Sequence, residues 1–106
     1  MEKVLFSTNF CLCDFANFGT PCVLEIYRDD DDIYTQLLPD VFYEDDETFE
    51  MSGLTIKEYE ENLFDSSAQH CWLNEVKDVM DFVNNYYDGS DDEIHDLIEE
   101  IINTIF

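Results

Sequence analysis

The sequence is poor in the residues that interrupt or loosen a fold: it has 3 glycines and 2 prolines in 106 residues. That scarcity argues against low-complexity linkers, and the length suits one compact domain. Basic residues are scarcer for the size, with only Lys3, Arg28, Lys57 and Lys77. Phosphates attract Lys and Arg, so direct binding to DNA, RNA or an anionic membrane is disfavoured. No stretch approaches the ~20 apolar residues of a membrane span. The first fourteen residues, broken by Ser7, Thr8 and Asn9, make a poor signal peptide. The expected location is therefore the cytoplasm. The sequence also lacks a glycine-rich phosphate loop and the paired C-x2-C spacing of a zinc site.

Against these absences stand 27 Asp plus Glu and a formal charge of -23. Low hydrophobicity at such a charge would leave a chain disordered. Here 45% of residues are hydrophobic and 15% aromatic, enough to drive folding against self-repulsion. Salt adaptation is the plainest alternative explanation of the charge, but it usually accompanies a weaker core than this one.

The N-terminal half reads as strands and loops. Lys3–Phe6 and Cys22–Tyr27 are β-prone, separated by a turn-like stretch with Asn17, Gly19 and Pro21. In the second run Leu24 and Ile26 share one face, Val23 and Glu25 the other. Asp29–Asp32 breaks the pattern. Ile33–Leu38 reads as a short helical turn ended by Pro39. Val41–Tyr43 and Thr48–Met51 can pair as a hairpin across Glu44–Glu47.

The C-terminal half reads as helices. Thr55 with Glu58 forms a capping box that opens a helix to about Phe64. A second helix is expected from about Ser67 to Tyr87, with Trp72, Val76, Val79, Val83 and Tyr86 at helical steps and a left-handed cap at Gly89. Ser90 with Glu93 opens a last helix, whose stripe is Ile94, Leu97, Ile98, Ile101, Ile102 and Ile105. The fold class expected is α+β, a small antiparallel sheet from the N-terminal half packed on two or three C-terminal helices.

Chemistry finds little footing. His70 and Cys71 are adjacent, and a thiolate nucleophile needs an electropositive setting that this chain does not supply. His95, between Ile94 and Asp96, reads as a surface residue. Cys11, Cys13, Cys22, His70 and Cys71 include zinc-ligand types without zinc spacing, and the cysteines read as reduced, buried thiols. Neither Asp29–Asp32 nor Asp88–Glu93 fits a calcium loop. No enzyme activity, metal or cofactor is expected.

The acids are grouped rather than sprinkled. Asp29, Asp30, Asp31 and Asp32 form one group, and Glu44, Asp45, Asp46, Glu47 and Glu50 another. Further acids lie at Glu58, Glu60, Glu61 and Asp65. Glu75, Asp78 and Asp81 follow a three-residue helical step. Asp92, Asp96, Glu99 and Glu100 occupy the face opposite the isoleucine stripe. At these spacings helical side chains lie ~5–6 Å apart, and successive phosphates of one DNA strand advance ~3.4 Å along the axis. A row of carboxylates on a helix thus offers a phosphate-like series, with almost no Lys or Arg interspersed. An amphipathic helix needs a polar face in any case, so it is the missing counter-sign that carries the argument.

In size, charge, aromatic content and grouped acids the sequence resembles the small acidic DNA-mimic proteins of phages and mobile elements, which inhibit restriction enzymes, CRISPR nucleases or DNA repair enzymes. The resemblance is spread over the chain and rests on no diagnostic motif. It implies a competitive inhibitor whose partner is a basic nucleic-acid-binding protein, a host defence nuclease or other DNA-binding enzyme. Asp29–Asp32 and Glu44–Glu50 are expected to form one contact zone and the helical acids another. Tyr27, Tyr34, Phe42, Tyr43 and Tyr59 are expected as exposed anchors. An immunity protein that neutralises a basic toxin, often a nuclease, is the alternative, and a charge-rich adaptor a third class. A monomer or a homodimer is expected, the latter through Phe106 and the isoleucine stripe.

Overall fold

Period-two burial in the first forty residues builds the sheet. The computed structural model describes residues 2–40 and 53–106. Three antiparallel strands, β1 (Glu2–Cys13), β2 (Phe18–Asp29) and β3 (Asp32–Pro39), lie in the order β1-β2-β3. Phe10 and Leu12, Cys22, Leu24 and Ile26, and Ile33, Thr35 and Leu37 are buried, every second residue on each strand. Helices α1 (Ile56–Phe64), α2 (Val76–Tyr86) and α3 (Asp91–Ile105) complete the expected α+β architecture. Helix α1 packs on β3, while α2 and α3 pack on β1 and on each other.

The strands run longer than their β-prone cores. The first turn is Asp14–Asn17, upstream of Gly19 and Pro21, which both belong to β2. Gly19 is the extra residue of a bulge, since Leu12 faces Thr20 while Cys13 faces Phe18. Its φ is +71°. Asp30 and Asp31 form a two-residue turn between β2 and β3, with Asp30 at φ +56°. The acid run breaks the pattern by turning the chain.

Ile33–Leu38 is not a helical turn but the body of β3. Its residues alternate, Ile33, Thr35 and Leu37 inward, and Pro39 stands at the strand's end opposite Cys22. The expected helix from Ser67 starts only at Val76. The preceding residues are taken by the outer edge of β3. Gln69 receives the Leu37 amide on Oε1 (2.8 Å) and donates Nε2 to the Leu37 carbonyl (2.9 Å). His70 N donates to Thr35 O (2.8 Å), Thr35 N to Cys71 O (3.0 Å) and Leu73 N to Ile33 O (2.8 Å). Asn74 Oδ1 accepts from Ile33 N (3.0 Å). Backbone and carboxamides together close an edge that would otherwise invite pairing.

Both capping boxes form as the sequence indicates, Thr55 with Glu58 and Ser90 with Glu93. Helix α2 starts with Glu75 N donating to Asp78 Oδ2 at 3.0 Å. Gly89 is not a left-handed cap: α2 ends in an extended Tyr87, which bridges Leu12 while Asp88 N donates to Cys11 O at 2.8 Å. The stripe of α3 buries Leu97, Ile101 and Ile105 within the chain's own core, each about 1.5–3 kcal/mol of apolar burial. Among the described residues no helix is long and apolar enough to cross a membrane. The hairpin expected from Val41–Tyr43 and Thr48–Met51 lies outside the described residues.

Candidate acidic interface

The acids that sequence spacing singles out are displayed on three elements. Asp29, Asp30 and Asp31 are exposed at the β2–β3 turn, with Asp32 half-buried beside them. Glu75 and Asp81 are exposed on α2 and Asp78 is half-buried. Asp92, Asp96, Glu99 and Glu100 are all exposed on the outer face of α3. Glu44, Asp45, Asp46, Glu47 and Glu50 lie outside the described residues.

The structure brings the first two groups together. Asp32 Oδ1 accepts from Asn74 Nδ2 (3.3 Å), and Asn74 adjoins Glu75, the N-cap of α2. Asp32 at the turn and Glu75 at the start of α2 therefore lie close across the closed edge of β3. Asp32 Oδ2 accepts from Tyr34 OH (3.2 Å). Burial, and then the Asp32 carboxylate, push the Tyr34 phenol upward.

An aromatic ladder runs beside the turn. Tyr27 and Tyr34 stack with ring centroids 5.7 Å apart, and Tyr34 meets Trp72 edge-on at 6.1 Å and 72°. Tyr27 OH and His70 Nδ1 share a 3.0 Å hydrogen bond. Of the expected anchors, Tyr27 is largely buried in this ladder and Tyr34 half-buried. Tyr59 is a core residue, its hydroxyl donating to Pro21 O (2.8 Å) and accepting from Asp40 N (3.2 Å), so it anchors no partner. Phe42 and Tyr43 lie outside the described residues. Trp72, read from the sequence as part of a helix stripe, is instead 62% exposed.

Trp72 also lines a groove of about 200 Å³ with Cys71, Asp78, Asp81, Phe82, Asn85 and Tyr86. The five α2 residues fall at helical steps of three and four, so one face of the helix forms a wall. Asp78 Oδ2 accepts from Glu75 N (3.0 Å), which fixes its carboxylate. Tyr86 OH donates to Ser67 Oγ (3.1 Å).

A second exposed feature lies at the opposite end of the sheet. Phe15 and Phe18 are 99% and 83% exposed at the β1–β2 turn. The turn beneath them is well held. Asp14 Oδ1 accepts from Ala16 N and Asn17 N (both 2.9 Å) and Asn17 Nδ2 (3.0 Å), and Asp14 Oδ2 accepts from Ser66 Oγ. Asn17 Nδ2 also donates to Asn62 O (3.0 Å), pinning the turn to α1. No spacing rule marks these phenylalanines; their exposure follows from where the turn falls.

The catalytic signals lead elsewhere. His70 lies in a turn at φ +56° and bonds Tyr27, while Cys71 Sγ contacts Ser67 O (3.2 Å). Burial pushes the Cys71 thiol up, away from a reactive thiolate. His95 is exposed, 3.8 Å from Glu99. Among the described residues no three His, Cys, Asp or Glu side chains converge as a metal cluster. No protein-family model, curated protein or solved structure matches this chain.

Proposed function

We propose that the protein is a non-enzymatic inhibitor that presents carboxylates, in place of nucleic-acid phosphates, to the cationic cleft of a nucleic-acid-binding protein such as a CRISPR- or restriction-type nuclease. The observation that carries this reading is the outer face of α3 together with the turn and α2 groups. Rows of exposed carboxylates stand there, and the cations near them are Lys77 on α2 and the exposed Arg28 and Lys3, paired in register next to the turn. Lys57, 3.9 Å from Glu61, is committed on α1. Such a surface speeds encounter with a basic cleft and repels nucleic acid itself.

The test is competition. A panel of purified DNA-binding nucleases is assayed with and without the protein, with duplex DNA titrated back. Inhibition of at least one, relieved by excess duplex, is expected. Reversing Asp92, Asp96, Glu99 and Glu100 to lysine should weaken it far more than the same change at Glu58, Glu60, Glu61 and Asp65. Equal effects, or indifference of every nuclease, refute the reading.

A second reading, an immunity protein for a basic toxin, is favoured by one observation. Phe15 and Phe18 present apolar surface for which a duplex has no counterpart, and exposed aromatics of this kind anchor tight protein complexes. Binding to a nuclease toxin that excess duplex does not displace would favour it over mimicry.

A further inference from the structure

The groove between α2 and the Cys71–Trp72 segment combines carboxylates with several aromatic rings. Asp78 and Asp81 share this recess with Trp72, Phe82 and Tyr86. Its volume of about 200 Å³ is below the roughly 300–1,000 Å³ of small-molecule sites. It is a space for one side chain. Phe82 is buried and Tyr86 half-buried, their rings tilted together at 5.4 Å, and Asn85 adds a carboxamide. None of the lining residues is a cation.

We propose that this groove receives the guanidinium of an arginine on the protein's partner. The proposal rests on the reading that the partner is basic, and it names the side chain that this one site selects. Asp78 and Asp81 are one helical turn apart, ~5–6 Å between Cβ atoms, a span that a planar five-donor fork can bridge. Guanidinium is less strongly hydrated than ammonium and stacks on aromatic rings while its N–H groups pair with carboxylates. A lysine ammonium satisfies the charge but not the fork or the stacking. The site is also prepared in advance. Asp78 is fixed by the Glu75 amide, Tyr86 by Ser67, and the Cys71–Trp72 segment by its bonds to β3.

The sole tryptophan lines the groove and reports on it. The experiment titrates the intact protein with capped triarginine amide and, separately, capped trilysine amide at one ionic strength, reading Trp72 emission. A saturable change is expected with triarginine, at a Kd at least about fivefold below that of trilysine. Asp78→Asn with Asp81→Asn should raise that Kd about tenfold, the loss expected of a charge-assisted pair. Glu60→Gln with Glu61→Gln removes the same charge from α1 and should leave it within about twofold. Far-UV circular dichroism of each variant checks the fold. Because the Asp78 side chain also caps α2, Asp81→Asn alone serves as a second variant and should weaken triarginine in the same direction. Equal binding of the two peptides, or equal losses in both double variants, overturns the proposal and leaves only net-charge attraction. Peptide selectivity without any nuclease inhibition would fail the mimicry reading alone; inhibition without selectivity would fail the groove alone.

Discussion

Thr35→Val probes the joint on which the outer edge of the sheet depends. Thr35 is fully buried, and its hydroxyl donates to Ala68 O (2.7 Å) and accepts from Cys71 N (2.9 Å). Valine keeps the branched shape and removes both bonds. Each deserted partner costs ~1–3 kcal/mol. The methyl that replaces the hydroxyl returns ~0.8 kcal/mol of apolar burial. The net loss should be about 3 kcal/mol. With a urea slope of ~1.5 kcal/mol/M for a chain of this size, the midpoint falls by ~2 M. Thr35→Ser keeps the hydroxyl, loses one methyl and should cost only ~1 kcal/mol. Urea unfolding followed by Trp72 emission and far-UV circular dichroism compares the three proteins. If the valine variant is at least as stable as the serine variant, the two bonds do not hold the edge and the reasoning fails.

Gly19→Ala should destabilise by ~1–2 kcal/mol, the cost of a left-handed residue with a Cβ, because Gly19 sits at φ +71° and the new Cβ would lie 2.8 Å from Asp88 Oδ2. Adding Asp88→Ala removes the clash and not the backbone strain, so thermal melts of the double variant should recover only part of the loss; full recovery would show that the bulge tolerates a side chain. At Asp14, partial burial raises the carboxyl pKa, but hydrogen bonds from Ser66, Asn17 and Ala16 outweigh it and hold the group below its ordinary 3.8. A depressed carboxyl contributes stability that is complete above the unfolded value and is lost as pH falls through the folded one. Asp14→Asn should therefore lie below the unsubstituted protein at pH 7 and approach it as pH falls below 3.8 and through the depressed folded value; a gap independent of pH in urea melts would refute the assignment.

Local rules made the capped helices legible. Thr55 with Glu58 and Ser90 with Glu93 are four-residue signals, and the α3 stripe repeats over fifteen residues. The alternation in Cys22–Tyr27 was equally readable. Ile33–Leu38 carries two competing signals: Pro39 suits a helix stop, while Ile33, Thr35 and Leu37 alternate as plainly as β2 does, and pairing with β2 decides for the strand. The region from Ser67 to Glu75 could not be read locally at all. Trp72 and Val76 fall at helical spacing, yet Gln69 and Asn74 are claimed by Leu37 and Ile33, more than thirty residues away. That tertiary claim overrides propensity. It also exposes Trp72 and opens the groove, so the feature with the most specific proposed chemistry was hidden by the same long-range bonds. The display of acids on α2 and α3 was legible because a helix face follows from spacing alone. The meeting of Asp32 with Asn74 was not, since it depends on the β2–β3 turn and on the edge closure together.

The acids divide by what the fold asks of them. Glu58, Asp78 and Glu93 return hydrogen bonds to the first residues of their helices, and Asp14 holds a turn. These carboxylates stabilise the chain that carries them. Asp92 lies in the first turn of α3, where the helix dipole favours it. Asp96, Glu99 and Glu100 lie beyond that turn on the exposed face, with Asp96 at repulsive i,i+3 and i,i+4 spacing from Glu99 and Glu100. Internal neutralisation is slight: the Lys57–Glu61 contact is exposed on both sides, a kind worth ~0–1 kcal/mol. The core of Leu, Ile, Val and Phe side chains therefore tolerates a field that does little for folding and would be weakened by salt. On the proposed reading, a cost borne on three elements is relieved by a positive surface supplied from outside the chain.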